Sequence, residues 1–157
     1  MNAAFQIRRA QGKDAQVLSA MILSSKRSNG YDDAFMAACA DELSVTPQDI
    51  AQTRFWVAEA NSLLGCVGLD VDADQQEGHI TSFFIAPSAK RQGIGRALWQ
   101  TVLHKAHTLG IERMTLDADP AAVPFYQALG FATVREVPSG SIAGRMLPRM
   151  ELVLTQA

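Results

Sequence analysis

Cysteine is scarce in this chain, and the little there is has no pattern. Cys39 and Cys66 are the only two among 157 residues. Two thiols are too few for a disulfide framework, and their separation fits no metal-ligand spacing. Neither sign of charge dominates: 14 basic and 16 acidic side chains leave a formal −2, which argues against the broad basic surface of a nucleic-acid binder. No apolar run approaches the ~20 residues that span a bilayer. The opening Met1-Asn2-Ala3-Ala4-Phe5 lacks the charged and apolar regions of a secretory signal, so a cytoplasmic protein is expected, with no membrane partner. Internal repeats, low-complexity tracts and linker-like segments are absent too. With 48% hydrophobic residues, the chain suits one α/β domain over 1–157 with a sizeable core.

What is present concentrates in Ala86-Pro87-Ser88-Ala89-Lys90-Arg91-Gln92-Gly93-Ile94-Gly95-Arg96. A short apolar run, Ile80 to Ile85, leads in. A helical pattern leads out, with Leu98, Val102, Ala106 and Leu109 on one face. Strand, glycine turn and helix start therefore follow one another, with basic side chains at the turn. Unpaired N–H groups at a helix N-terminus attract an anion, and glycines let the main chain approach it closely. This reads as a pyrophosphate cradle. A dinucleotide fingerprint would need glycine at position 98, where Leu98 stands, and no Gly-Lys-Ser/Thr of a P-loop occurs.

A second segment lies downstream, Pro124-Phe125-Tyr126-Gln127-Ala128-Leu129-Gly130-Phe131. Together the two resemble the GNAT superfamily of acyl-CoA-dependent N-acyltransferases. The first matches its Arg/Gln-x-x-Gly-x-Gly/Ala motif with Lys90 in the leading place, and the second its Phe-Tyr-x-x-Leu-Gly-Phe helix ending. The likeness is strong from about Phe55 to Phe131 and weak before that. It implies a mixed, mostly antiparallel central sheet flanked by helices, acetyl-CoA as cosubstrate, and no metal.

Local patterns give the element order. Phe5 to Ala10 alternates like a strand, and Asp14 to Ser25 carries Val17, Leu18, Met21 and Ile22 at helical spacing. Asp32 to Leu43 reads as a second helix. A short third one follows, with Thr46 as cap and Pro47 at its first position. Phe55 to Ala60 and Leu63 to Val71 form a hairpin, and His79 to Ala86 is the strand into the cradle. Gly95 to Leu109 is the helix out of it, with Gly110 as its C-terminal cap. Met114 to Ala118 is a buried strand, and Asp119 caps a helix running to Leu129. Thr133 to Val137 and Met150 to Leu154 are the last strands, with Pro138 to Pro148 as a loop between them.

Acyl transfer from a thioester to an amine requires a held cofactor, a neutral amine, an oxyanion donor and a protonated leaving thiol. A lysine-like amine has a pKa of about 10.4, so a base or desolvation must supply the neutral form. By resemblance, the amides of Arg91, Gln92, Gly93, Ile94, Gly95 and Arg96 bind the pyrophosphate, with Lys90, Arg91 or Arg96 adding charge outside. Lysine at 90 gives a point charge without the bidentate fork of arginine. Also by resemblance, Phe83-Phe84-Ile85 pairs with the pantetheine arm, the Ile85 amide serves as oxyanion donor, and Tyr126 protonates the thiolate. That last transfer is uphill by roughly 1.5 pKa units, or about 2 kcal/mol.

The base has several candidates. His79 precedes Ile85 by six residues, so period-two alternation puts both on one face. By spacing it falls where histone-type members carry a glutamate base, and an imidazole near pKa 6.5 suits proton acceptance. Glu77 shares that face by parity, Asp117 is a third candidate, and a water chain would also serve. His104 and His107 read as solvated, Trp56, Trp99 and both cysteines as core, and Asp119 as a cap.

By resemblance, the acceptor is chosen by the first two helices, their loop and the last hairpin. Two readings of its charge oppose each other. The acidic run Asp70, Asp72, Asp74, Glu77 and the pair Asp32-Asp33 would favour a cationic amine, whereas Arg145, in the Gly/Ser-rich loop 139–145, would recognise a carboxylate. The expected activity is direct acetyl transfer to a small-molecule or peptide amine in a ternary complex. The alternatives are a non-catalytic acyl-CoA sensor or scaffold, and an interaction protein that keeps only the fold. A homodimer through exposed strands or helices is compatible with either.

Overall fold

The structure is a computed structural model describing residues 4–154; Met1 to Ala3, where the secretory-signal reading begins, lie outside them. Its strands are β1 (Gln6–Arg9), β2 (Arg54–Glu59), β3 (Leu63–Asp72), β4 (Glu77–Ile85), β5 (Arg113–Asp117), β6 (Ala132–Pro138) and β7 (Met146–Val153). Its helices are α1 (Ala15–Arg27), α2 (Asp33–Leu43), α3 (Pro47–Gln52), α4 (Ile94–Thr108) and α5 (Val123–Leu129). The strands form one sheet in the order β1-β2-β3-β4-β5-β7-β6. Every neighbouring pair is antiparallel except β4 and β5. This is the mixed, mostly antiparallel sheet flanked by helices that the resemblance implies.

Local chemistry sets the helix starts. Asp32 accepts from the Phe35 amide at 2.8 Å and caps α2. Thr46 and Asp49 exchange bonds in a capping box, with Pro47 at the first position of α3. Ahead of α1, Asp14 accepts the Gln11 amide at 2.7 Å and both terminal nitrogens of Arg8 at 2.9 and 3.0 Å. Arg8 also grips Glu59 through Nε and Nη2, so one guanidinium ties β1, β2 and the start of α1 together.

The core lies where α1 and α4 pack on the sheet. Leu18 and Ile22 of α1, Leu98 and Val102 of α4, and Val57, Val67, Leu69, Met114 and Met150 of the strands are fully buried. Each such side chain contributes about 1.5–3 kcal/mol by leaving water. Two residues read as helix-face residues fall off that stripe. Val17 is exposed on α1, and Leu109 is exposed at the end of α4, where the chain turns through Gly110.

Two further expectations are corrected. β7 begins at Met146, so the loop before it is shorter than Pro138 to Pro148. Proline is tolerated at 148 because its carbonyl accepts from Ala118 just beyond the end of β5. Its missing N–H thus falls past the ladder. The second correction concerns parity in β4. Thr81 pairs with Gly68 and Phe84 with Cys66, so three steps on β4 oppose two on β3. Ser82, at φ 47°, absorbs the extra residue as a β-bulge. His79 therefore shares its face with Thr81 and Phe84, and Ile85 lies on the other. The alternation argument that put His79 and Ile85 on one face fails here.

The Arg8 hydrogen bond, ahead of the cost of burial, holds the Asp14 carboxyl below its ordinary value of 3.8. A folded pKa below the unfolded one means stability that is complete above the unfolded value and lost as pH falls past it. Asp14→Asn is expected to cost about 1–3 kcal/mol in urea unfolding at pH 7, and distinctly less as the pH approaches 2. An equal cost at both pH values would exclude the ion pair as its source.

Candidate active site

β4 and β5 run side by side for only three residue pairs, ending at His79 opposite Thr115. Beyond this point β5 stays with β7 while β4 diverges toward the glycine turn. The gap is a cleft of about 770 Å³. Ala86 N–H donates to Leu64 O across β3 at 2.8 Å, so by alternation the Ile85 amide faces the opening. Phe83, Phe84 and Ile85 line its wall.

The cradle is built by two left-handed residues. After a single 3-10 turn at Pro87–Ala89, Lys90 is extended, Arg91 has φ 65° and Gly93 φ 79°. Gly93 is the N-cap of α4 and offers no side chain to its first turn; the helix's bonding opens with Ala97 N–H to Gly93 O at 3.1 Å. Successive amides in such a turn form a concave nest for an anion. Arg91 and Arg96 are exposed beside it, while Lys90 Nζ donates to Ser28 Oγ at 3.0 Å. Gln92 and Ile94 complete the turn, Ile94 buried. Glycine is needed at 93 for its dihedral and at 95 for contact: a Cβ on Gly95 would lie 3.2 Å from Phe125 Cζ.

The candidate acid and bases have distinct environments. Tyr126 is buried in α5 among the rings of Phe83, Phe125 and Phe131 and lines the cleft. Burial, helped by Asp119, pushes its phenol well above the ordinary 10. His79 also lines the cleft, with Nδ1 2.8 Å from Thr115 Oγ1. Burial pulls its pKa below 6.5, with Asp117 acting in the opposite sense, so the ring is neutral at pH 7. Asp117 reaches the cleft but is engaged by Arg149 through Nε at 2.5 Å and Nη2 at 3.1 Å. Glu77 is not among the residues lining the cleft.

Neither cysteine is placed to carry an acyl group. Both are buried. Burial pushes the Cys66 thiol up to about 12, and its S–H donates to Ser82 O.

The sequence offers Asp119 only as a cap, and it does accept from the Ala121 amide at 2.9 Å. Its other oxygen takes Lys26 Nζ at 2.5 Å and Tyr31 Oη–H at 2.8 Å. Arg145 in turn donates to Tyr31 Oη at 2.7 Å and lies 3.8 Å from Asp119. Burial alone would raise the Asp119 carboxyl, but Lys26, the Ala121 amide and Tyr31 outweigh it and hold it low. Lys26 and Tyr31 are the residues that sequence reasoning missed. The signal was present for Lys26, which continues the buried Leu18-Ile22 stripe one turn on. Meanwhile the acidic run is occupied elsewhere. Asp70 accepts from Thr53, Asp72 caps its own turn, Asp33 pairs with Arg27, and none of them lines the cleft.

Residues 22–154 match the family model described as an acetyltransferase (GNAT) domain. The chain is 32% identical over 119 residues to N-acetyltransferase 8 of Homo sapiens, covering 69% of this chain and 52% of that protein. It is 37% identical over 87 residues to the peptidyl-lysine N-acetyltransferase YiaC of Escherichia coli K12, covering 54% of each. The chain thus spans about half the length of these two relatives. Its fold matches the PaiA N-acetyltransferase of Thermoplasma acidophilum, solved in complex with coenzyme A, with a TM-score of 0.80 at 18% identity. That match covers 97% of this chain and 100% of the other. Among the described residues no helix is long and apolar enough to cross a membrane.

The contact at Gly95 can be tested directly. Gly95→Val forces α4 and the Phe125 ring apart and is expected to cost about 1–3 kcal/mol of unfolding free energy. A neutral result in urea unfolding would show that α5 yields freely.

Proposed function

As the chain belongs to the GNAT acetyltransferase family, we propose that it moves an acetyl group from acetyl-CoA to a primary amine, with both bound in the cleft at once. The observation that carries this reading is the nest at Arg91 to Arg96 opening beside a diverged strand pair. The amides of Arg91, Gln92, Gly93, Ile94, Gly95 and Arg96 hold the pyrophosphate, with the Arg91 and Arg96 side chains adding charge. Phe83, Phe84 and Ile85 present the free edge of β4 to the pantetheine arm. When bound, the coenzyme supplies the activated acetyl thioester.

The remaining roles fall to groups already in the cleft. The Ile85 amide is a fixed donor to the carbonyl oxygen. His79, neutral at pH 7 and held through Nδ1 by Thr115, accepts the amine proton at Nε2, directly or through water. Asp117 is already engaged by Arg149, and Glu77 lies off the cleft. Tyr126 keeps its Oη proton throughout the physiological range and delivers it to the departing thiolate. Burial that raises the phenol also raises a thiolate beside it, which limits the mismatch between the two.

Acetyl-CoA at a hundred times its dissociation constant is expected to add about 2.7 kcal/mol of stability. The resulting rise in melting temperature should vanish in Gly93→Trp, whose side chain fills the open space of the cradle. Thiol release on a panel of amines then reads turnover. Binding without turnover would make the chain an acyl-CoA sensor or scaffold, and no binding would leave it only the fold.

The lowered pKa of His79 sets the pH profile. A base must be unprotonated, so kcat/KM is expected to stay level as pH falls through 6.5 and to drop only below it. His79→Gln should remove that limb and lower kcat by about 10²–10⁴-fold. Tyr126→Phe keeps the ring packing and should lower kcat without moving the limb. An unchanged acid limb in His79→Gln would assign it to another titrating group and remove His79 as the base.

A further inference from the structure

Arg145, Lys26, Tyr31 and Asp119 come from four segments that meet beside the cleft, Arg145 and Tyr31 bordering it without lining it: the loop before β7, α1, the turn before α2, and the residues after β5. Lys26 and Asp119 line the cleft directly. All three charged side chains are largely withdrawn from water, at 11%, 12% and 18% exposure for Lys26, Asp119 and Arg145. Two cations there face one carboxylate.

That carboxylate is fully used. Asp119 Oδ1 takes the Ala121 amide, and Oδ2 takes Lys26 and Tyr31. Arg145 therefore spends one N–H on a phenol oxygen, and its contact with Asp119, at 3.8 Å, is too long for a hydrogen bond. Its guanidinium lies 5.2 Å from the centroid of the Tyr31 ring and 4.9 Å from that of Phe35. Those two rings stack on each other at 4.0 Å. The two rings hold the guanidinium beside them by cation–π attraction, and its other donors have no partner among the described residues. A planar fork with unused donors, short of an anion, fits a carboxylate. The surplus is one positive charge, which matches a monoanion.

We propose that the acceptor amine carries a carboxylate and that Arg145, backed by Lys26, receives it. The inference rests on the transferase reading and narrows it to amino-acid-like acceptors. Glu42 supports the same class. It lines the cleft, is exposed, and enters no ion pair among the described residues, so an entering ammonium meets its own counter-charge.

Thiol release measured on α- and ω-amino acids of increasing length, on their carboxamides and on phosphoethanolamine provides the test. The best acid is expected to exceed its amide by at least about tenfold in kcat/KM. Arg145→Gln should raise KM for the acid, with the loss on the acid exceeding that on the amide by about tenfold. Arg145→Lys should recover part of it. Equal use of acid and amide would overturn the proposal. So would an equal loss on both in Arg145→Gln, which would assign Arg145 to holding the loop. A preference for phosphoethanolamine, or a weakened acetyl-CoA dissociation constant in Arg145→Gln, would reassign the charge to phosphate. Should no amine release thiol, the transferase reading falls. The carboxylate inference is then judged by whether the acids raise the melting temperature of the coenzyme A complex in the wild type and not in Arg145→Gln.

Discussion

A parallel ladder only three residue pairs long controls this molecule. Glu77 to His79 pair with Arg113 to Thr115, and then the strands separate. Separation leaves backbone donors of β4 unpaired in the interior of a sheet, which is costly unless a ligand or water satisfies them. It also carries β4 straight into the turn at Arg91 and Gly93, so the exposed strand edge and the helix N-terminus lie one after the other along the chain. A ligand with an extended arm and a phosphate at one end fits that pair of features. The core formed by α1 and α4 packs on β3 and β4, the strands on one side of the gap.

Local requirements were legible in the sequence, and those that depend on distant partners were not. The cradle could be read because a left-handed N-cap and a helix start need glycine at a fixed spacing. Thr46, Pro47 and Asp32 announced their helices by the same kind of local chemistry. The mixed, mostly antiparallel character of the sheet followed from the family resemblance and not from any strand's own pattern. The bulge at Ser82 escaped because the residue with positive φ is a serine, and one inserted residue reverses the parity on which the His79 argument stood. Pro148 looked like a loop residue because its tolerance depends on where β5 stops. The Lys26–Asp119 contact joins residues 93 positions apart, and only the apolar stripe of α1 hinted that Lys26 faces inward.

The cleft sorts its charged groups by whether they are engaged. Asp117 and Asp119 look alike in the sequence, two residues apart at the end of one strand. Arg149 neutralises the first, and the second gathers α1, the turn after it and the last loop around one carboxylate. What remains unengaged is one nitrogen of a neutral imidazole, a protonated phenol, an exposed carboxylate and part of a guanidinium. Each is a group with capacity to bind or exchange a proton. This residue-by-residue division separates the positions that build the cleft from those that can act in it.

The strand order has a consequence for how the protein is made. β7 lies between β5 and β6, so neither of those strands has that neighbour until residues 146–153 have left the ribosome. Until then the growing chain presents two raw sheet edges, and Asp117 lacks Arg149. The cleft can hold its final shape only once β7 has been made, which gives a product stalled or shortened before it little chance of residual activity and makes it a natural client for chaperones and proteases.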